Sequence, residues 1–182
     1  MKPVISASEA LHRQASDAET VVWVDEHDQL LGQLPRAQLR EQGLIGRGSF
    51  IFLFNPQGAL CVHQRTFSKA LYPGFWDIAA GGMVAAGESY AQSAARELAE
   101  ELGVCDAPLT LHGTRFFAGQ GNRLWCGIFS AVSAAPIRAQ PEEVLSSAFI
   151  ELKDFAAWRS GRQICPDSLS AMALVPQLRD YC

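Results

Sequence analysis

The sequence predicts an α/β fold, a mixed central sheet flanked by helices, and three observations carry that reading. β-prone runs outnumber helical ones, and most come in pairs separated by turn residues such as Asn55, Pro56 and Gly58. One strongly patterned helix stands out, ending at Leu102 ahead of Gly103, a residue suited to the left-handed position that closes helices. The chain has 182 residues with a hydrophobic fraction of 48%, enough for one domain with a full core.

In order along the chain, residues 1–19 form an N-terminal extension, read as a mobile lead-in or a loosely docked helix, and residues 20–182 form the domain. Thr20–Val24 and Leu30–Gln33 are strands joined across the polar DEHDQ turn, and Pro35 opens a short helix through Gln42 that Gly43 ends. Ser49–Phe54 is an aromatic-rich strand whose partner is Ala59–Gln64 across a tight turn. The run RTFSKALYPGFWDIAAGG leads through a loop and a short strand to the glycine bend at Gly81 and Gly82, after which the patterned helix starts near Glu88 or Ser89. Leu109–Phe117 and Arg123–Val132 are strands linked by AGQGN, and Ser146–Ile150 adds another. Two helices complete the chain, one around Leu152–Arg159 and one from Pro166 through Leu178.

Composition narrows the function classes. A formal charge of -4 argues against a surface that coats a nucleic acid polymer, while leaving room for a local basic pocket. The first residues are polar and acidic where a signal peptide needs an apolar core, and no run reaches the roughly 18 apolar residues that would span a bilayer. Five scattered cysteines without CxxC spacing read as reduced thiols of a cytoplasmic protein rather than as a zinc site. The four histidines form no cluster, and His12, His27, His63 and His112 read as structural or solvated.

The patterned helix carries Arg96, Glu97, Glu100 and Glu101 within ARELAEEL. Like charges three or four positions apart on a helix repel by a few tenths of a kcal/mol, roughly, per pair, so the three carboxylates call for a positive partner. They share an arc of about 100°, beside a neighbouring arc of Ala91, Ala94, Ala95, Leu98 and Leu102 that should bury against the sheet. Carboxylates held beside a packed face suit a hard divalent cation, which prefers oxygen ligands. Glycines at 81, 82 and 87 let backbone carbonyls approach the same ion.

The spacing is distinctive: Gly82, five residues, Glu88, seven residues, Arg96, Glu97, Leu98, one residue, Glu100, Glu101, one residue, Gly103, Val104. This pattern resembles the Nudix box. The resemblance implies an α/β/α sandwich and attack of water on a diphosphate linked to another moiety. It makes Glu97, Glu100 and Glu101 the ligands of Mg²⁺ or Mn²⁺, with the carbonyl of Gly81 or Gly82 as a further ligand. Arg96 would orient the glutamates, Glu88 would brace the loop through Arg96, and Gly82, Glu88 and Gly103 would be structural positions of the box. Glu97 is the expected general base, with Glu101 and a loop acid as rivals; the loop acid favoured by the resemblance is Glu143.

Upstream, RGSFIFLFNPQGALCVHQRTFSKALYPGFWD is similar to the corresponding region of isopentenyl-diphosphate isomerases, which implies that Arg47, Arg65 and Lys69 lie near a substrate diphosphate. The isomerase cysteine and histidine are missing: Ile78, Ala79, Ala80, Gly81, Gly82 and Met83 follow the PGFWD, and Gly46 precedes Arg47 where a histidine is needed. Hydrolysis of a small-molecule diphosphate, such as a nucleoside diphosphate derivative, is therefore the leading expectation. A non-catalytic diphosphate sensor is the alternative from another class, and an isomerase-like enzyme is a third. Trp125 on its strand is a candidate to cover the substrate, and a homodimer is the assembly the resemblance suggests.

Overall fold

The computed structural model describes residues 5–119 and 121–182; Met1–Val4 of the lead-in and Gln120 of the AGQGN loop lie outside the described residues. A helix α1 (Ala7–Ala18) precedes strands β1 (Thr20–Val24) and β2 (Leu30–Pro35), helix α2 (Arg36–Glu41), and strands β3 (Ile45–Phe54), β4 (Leu60–Arg65), β5 (Trp76–Asp77) and β6 (Ala80–Met83). Helix α3 (Tyr90–Leu102), strands β7 (Thr110–Gly119), β8 (Asn122–Val132) and β9 (Val144–Ile150), and short helices α4 (Phe155–Arg159) and α5 (Pro166–Ala171) follow.

β3 is the strand on which the sheet is built. It runs parallel to β8 from Gly46↔Leu124 to Phe54↔Val132 along one edge. Its other edge is shared by β1 at Ile45 and Gly46, β6 from Gly48 to Ile51, and β4 at Phe54 alone. The expected β3–β4 hairpin is therefore corrected. Asn55 makes the turn, its Oδ1 accepting hydrogen bonds from Gln57 and Ala59 backbone N–H groups, but the strands then part and β4 pairs with β9 along its length. A strand buried on both faces reads as an unbroken apolar run, and SFIFLF is such a run; its best partners come from far along the chain.

The faces of β3 divide the core. Phe50, Phe52 and Phe54 join Leu124, Cys126 and Ile128 of β8 under Phe155, Met172, Val175 and Leu178, whereas Ile51 and Leu53 join Phe129 and Ala131 under Ala94, Leu98 and Leu102 of α3. The result is a mixed sheet between α3 and the C-terminal helical segments. Complete burial of a side chain such as Phe52 contributes about 2–3 kcal/mol.

Helix α3 is capped at both ends. Ser89 and Gln92 form a reciprocal capping box, and Gly103 takes the left-handed conformation at φ 68°. Its buried side differs from the expected arc: Ser93, Ala94, Glu97, Leu98, Glu101 and Leu102 are buried, while Ala91 and Ala95 are exposed. Two carboxylates thus lie within the packed face, because Gly81 and Gly82 leave backbone there instead of side chains.

In the C-terminal region the single helix expected from Pro166 to Leu178 is broken into α5 and two 3₁₀ turns, Met172–Leu174 and Pro176–Tyr181. Pro176 accounts for the second break, since it lacks the N–H that a continuing helix would use. Of the two readings of the N-terminal segment, the docked helix is the one observed. α1 opens with a Ser6–Glu9 capping box and buries no residue of its own.

Candidate functional site

The glycine bend is set by close approach rather than by unusual torsions. A Cβ on Gly81 would stand 2.1 Å from the Ser49 carbonyl oxygen of β3, and one on Gly82 would stand 2.2 Å from Glu97 Oε1. Only glycine lets β6 lie between β3 and the acidic side of α3. Glu101 seals the junction, its Oε2 accepting the Gly81 N–H at 2.8 Å.

Arg96 gathers the box acids. Its Nε and Nη2 donate to the two carboxylate oxygens of Glu88 at 2.8 and 2.9 Å, and its Nη1 donates to Glu97 Oε1 at 2.8 Å and Glu100 Oε2 at 3.1 Å. Nη2 also reaches the Met83 carbonyl at 3.2 Å, and Glu88 accepts the Ala85 N–H, so the loop before α3 is tied to the helix through this pair. Glu100 remains largely in solvent.

Glu97 and Glu101 are buried, at 8% and 1% exposure. Burial pushes the Glu97 carboxyl up to about 7 despite Arg96, and pushes Glu101 well above the usual range, with the charge of Glu143 adding to the effect. Glu143 goes the other way. Burial alone would raise it, but Lys69 Nζ at 2.7 Å from its Oε1 and hydrogen bonds from its neighbours hold it below the ordinary carboxylate range. Lys69 also stands 3.9 Å from Glu101 Oε1, so one ammonium faces both carboxylates.

A cavity opens beside this cluster. Lys69, Arg65, Glu143, Gly81 and Gly82 all reach it. Arg65 is held by long contacts, Nη1 to Asp77 Oδ2 at 3.5 Å and Nη2 to the Leu71 carbonyl at 3.3 Å, and its buried Nε has no partner among the described residues. Arg47 and Trp125 stand elsewhere. They face each other in register on β3 and β8, on the α3 side of the sheet, whereas Phe50 and Leu124 present the cavity side. Arg47 donates to Asp28 Oδ1 at 2.7 Å and lies over the Tyr90 ring, and Trp125 packs on Phe116.

Sequence reasoning missed several groups here. His12 hydrogen-bonds Glu143 at 2.8 Å, yet nothing in its polar stretch marks it. Buried Asp77 and Asp167 back Arg65, and burial raises Asp167 to about 6 with Asp77 adding to it. The Tyr72 hydroxyl is buried without a hydrogen-bond partner among the described residues, and the residue sits at φ 52°. Asp77 falls in the PGFWD run and could have been singled out there; Asp167 and Tyr72 carry no local signal.

Chemically, buried Glu97 and Glu101 beside the Gly81–Gly82 backbone form an oxygen-rich wall suited to a hard cation. Among the described residues no three His, Cys, Asp or Glu side chains are already grouped to hold a metal ion; the acids here are satisfied by Arg96 and Lys69. No helix of the described residues is long and apolar enough to cross a membrane.

Comparison with known proteins agrees with this architecture. An uncharacterized Nudix hydrolase of Pseudomonas aeruginosa is 61% identical over 163 residues, covering 90% of this chain and 96% of that protein. Among solved structures, a Deinococcus radiodurans protein superposes with a TM-score of 0.72 at 23% identity, covering 86% of this chain and 99% of the other. The NUDIX domain of Shewanella oneidensis NrtR, complexed with ADP ribose, superposes with a TM-score of 0.60 at 21% identity, covering 75% and 88%. The NUDIX domain model matches residues 45–167, from the start of β3 to the acid at the head of α5, and the chain belongs to the Nudix family.

Proposed function

We propose that this protein hydrolyses the pyrophosphate bond of a small diphosphate metabolite, such as a nucleoside diphosphate derivative, with Mg²⁺ or Mn²⁺ held by Glu97, Glu100, Glu101 and a Gly81 or Gly82 carbonyl. The observation that carries the reading is the pair of buried carboxylates, Glu97 and Glu101, pressed against the backbone of Gly82 and Gly81, the two glycines that line a cavity together with Lys69, Arg65 and Glu143. The fit is one of donor chemistry: carboxylate and backbone carbonyl oxygens are hard ligands of the kind such a cation takes. Such an ion, when bound, lowers the pKa of a water and polarises the diphosphate.

The chain's own residues then have separate tasks. Arg96 fixes Glu97 and holds one oxygen of the half-exposed Glu100. Glu97 accepts the proton of the attacking water, Glu101 and Glu143 being the alternatives. Lys69 and Arg65 balance the charge of the diphosphate. One P–O bond forms to the water oxygen, the bridging P–O bond breaks, and the departing phosphoryl oxygen keeps the electron pair.

The test is formation of phosphomonoester or pyrophosphate products, read as inorganic phosphate after a coupling phosphatase or pyrophosphatase, from a panel of nucleotide sugars, dinucleoside polyphosphates, NADH, CoA, oxidised nucleotides and ADP-ribose, with Mg²⁺ or Mn²⁺ present. Turnover of one class, lost by orders of magnitude in both Glu97→Gln and Glu101→Gln, is the expected result; undiminished activity in both variants would reject the assignment. A sensor reading has one observation in its favour, since Arg96 and Lys69 already satisfy the acids. Tight binding of a panel member without turnover, unaltered in Glu97→Gln, would establish it. The isomerase reading fares worse, because the positions of its cysteine and histidine are apolar or glycine, with Ile78 and Ala79 in the core.

A further inference from the structure

Helix α1 lies entirely before the segment that matches the family model. It nevertheless forms part of the cavity wall, where His12, Ser16 and Asp17 stand beside Lys69 and Glu143. Apolar packing does not hold it there, since none of its residues is buried. Polar contacts do: Arg40 Nη2 donates to Asp17 Oδ1 at 2.9 Å, and Arg36 Nη1 donates to Ser16 Oγ at 2.8 Å.

The third attachment goes to the site itself. His12 Nε2 is 2.8 Å from Glu143 Oε1, and His12 Nδ1 is 3.5 Å from Gln140 Nε2. A Gln Nε2 can only donate, so Nδ1 is the acceptor and Nε2 carries the hydrogen given to Glu143. Gln140 and Glu143 close the turn before β9, with the Glu143 and Val144 N–H groups both donating to the Gln140 carbonyl at 3.1 and 2.9 Å. His12 therefore spans the turn from outside, and Glu143 Oε1 is fixed by two donors, His12 from α1 and Lys69 from the loop after β4.

We infer that His12 is a positioning residue: it sets the orientation of Glu143, and α1 is a working wall of the substrate cavity that the site needs in order to be complete. The consequence for turnover rests on the hydrolase reading; the consequence for the Glu143 turn does not.

Two measurements on the full-length protein separate these. In hydrogen exchange, His12→Ala is expected to speed exchange of the Glu143 and Val144 amides about tenfold, while His12→Gln, which keeps a donor, restores most of the protection. Exposed Leu11 on the same helix supplies the control, with Leu11→Ala leaving the turn unchanged. In hydrolysis of ADP-ribose with Mn²⁺, His12→Ala should lower kcat about tenfold with KM nearly constant, the lower end of what loss of a supporting contact costs, and should have no further effect in a Glu143→Gln background. Unchanged exchange at Glu143 and Val144 in His12→Ala, or a kcat loss that persists in full in the Glu143→Gln background, overturns the inference. Absence of ADP-ribose turnover in the wild type counts against that substrate alone, and the exchange comparison then decides.

Discussion

Arg96 holds Glu88 by both carboxylate oxygens, Nε to Oε1 at 2.8 Å and Nη2 to Oε2 at 2.9 Å, and so ties the loop after β6 to the middle of α3. The pair is only partly exposed, and it sits one link away from Glu97. Glu88→Ala should therefore act twice. Loss of a bidentate charge-assisted contact is expected to cost about 1–3 kcal/mol, seen as a lower Tm. Activity should fall further than Tm explains when assayed well below the transition, because Arg96 then loses its anchor beside Glu97. Activity that follows the folded fraction alone would show that the pair only stabilises.

The two glycines of the bend should fail differently. Gly81→Ala forces a methyl against the Ser49 carbonyl, backbone against backbone in the β3–β6 pairing, and is expected to destabilise by about 2–4 kcal/mol. Gly82→Ala meets the end of the Glu97 side chain instead, which can swing aside cheaply. That variant should unfold at close to the wild-type denaturant midpoint and yet lose most of its activity. Equal loss of stability in both would mean that Gly82 is not reserved for Glu97.

These two glycines also mark how far the sequence could be read. The box was legible because its parts are local: Gly103 at the end of α3, Glu88 eight residues before Arg96, the acids one turn apart. The α/β class followed from the same kind of local periodicity. What the periodicity could not reach was pairing between distant segments. SFIFLF announced a buried strand but not its parallel partner Asn122–Val132, and the turn at Asn55 suggested a hairpin that ends after one residue pair. The resemblance puts Arg47 near substrate and its strand makes Trp125 a candidate to cover it, but strand parity puts both on the α3 face, away from the cavity. His12 and Glu143 are 131 residues apart, and only the fold joins them.

His63 on β4 gives an expectation for pH. It is 2% exposed, and burial lowers its pKa to about 4 from an ordinary 6.5, with Asp77 partly opposing. Between those values the unfolded chain binds a proton that the native chain does not, so this residue's contribution to stability rises with pH across the window and is lost as pH falls through it. From pH 6.5 down to pH 5 the loss is about 1.5 kcal/mol. Glu97 and Asp167, whose pKa values are raised to about 7 and 6, act in the opposite sense over the same range. The contribution is therefore isolated by comparison. Denaturant unfolding of wild type and His63→Gln at pH 6.5 and pH 5 should show a difference in stability that shifts by that amount in favour of the variant at the lower pH. A difference independent of pH would place the His63 titration outside this window.

Lys69 and Arg47 provide the sharpest contrast between residues that the sequence treats alike. Lys69 Nζ stands between Glu143 at 2.7 Å and Glu101 at 3.9 Å on the cavity wall. Arg47 spends its charge on Asp28, which also accepts the Tyr90 hydroxyl at 3.1 Å, on the other face of the sheet. Lys69→Ala is expected to raise the KM for a diphosphate substrate at least about tenfold, the scale of losing one charge-assisted hydrogen bond to the ligand. Arg47→Ala should leave KM within about twofold and instead cost about 1–2 kcal/mol of stability, because Asp28 loses its partner in a half-buried position. Steady-state kinetics and denaturant unfolding on the two variants distinguish the roles, and a larger KM effect from Arg47→Ala would mean that the substrate binds on the α3 side of the sheet.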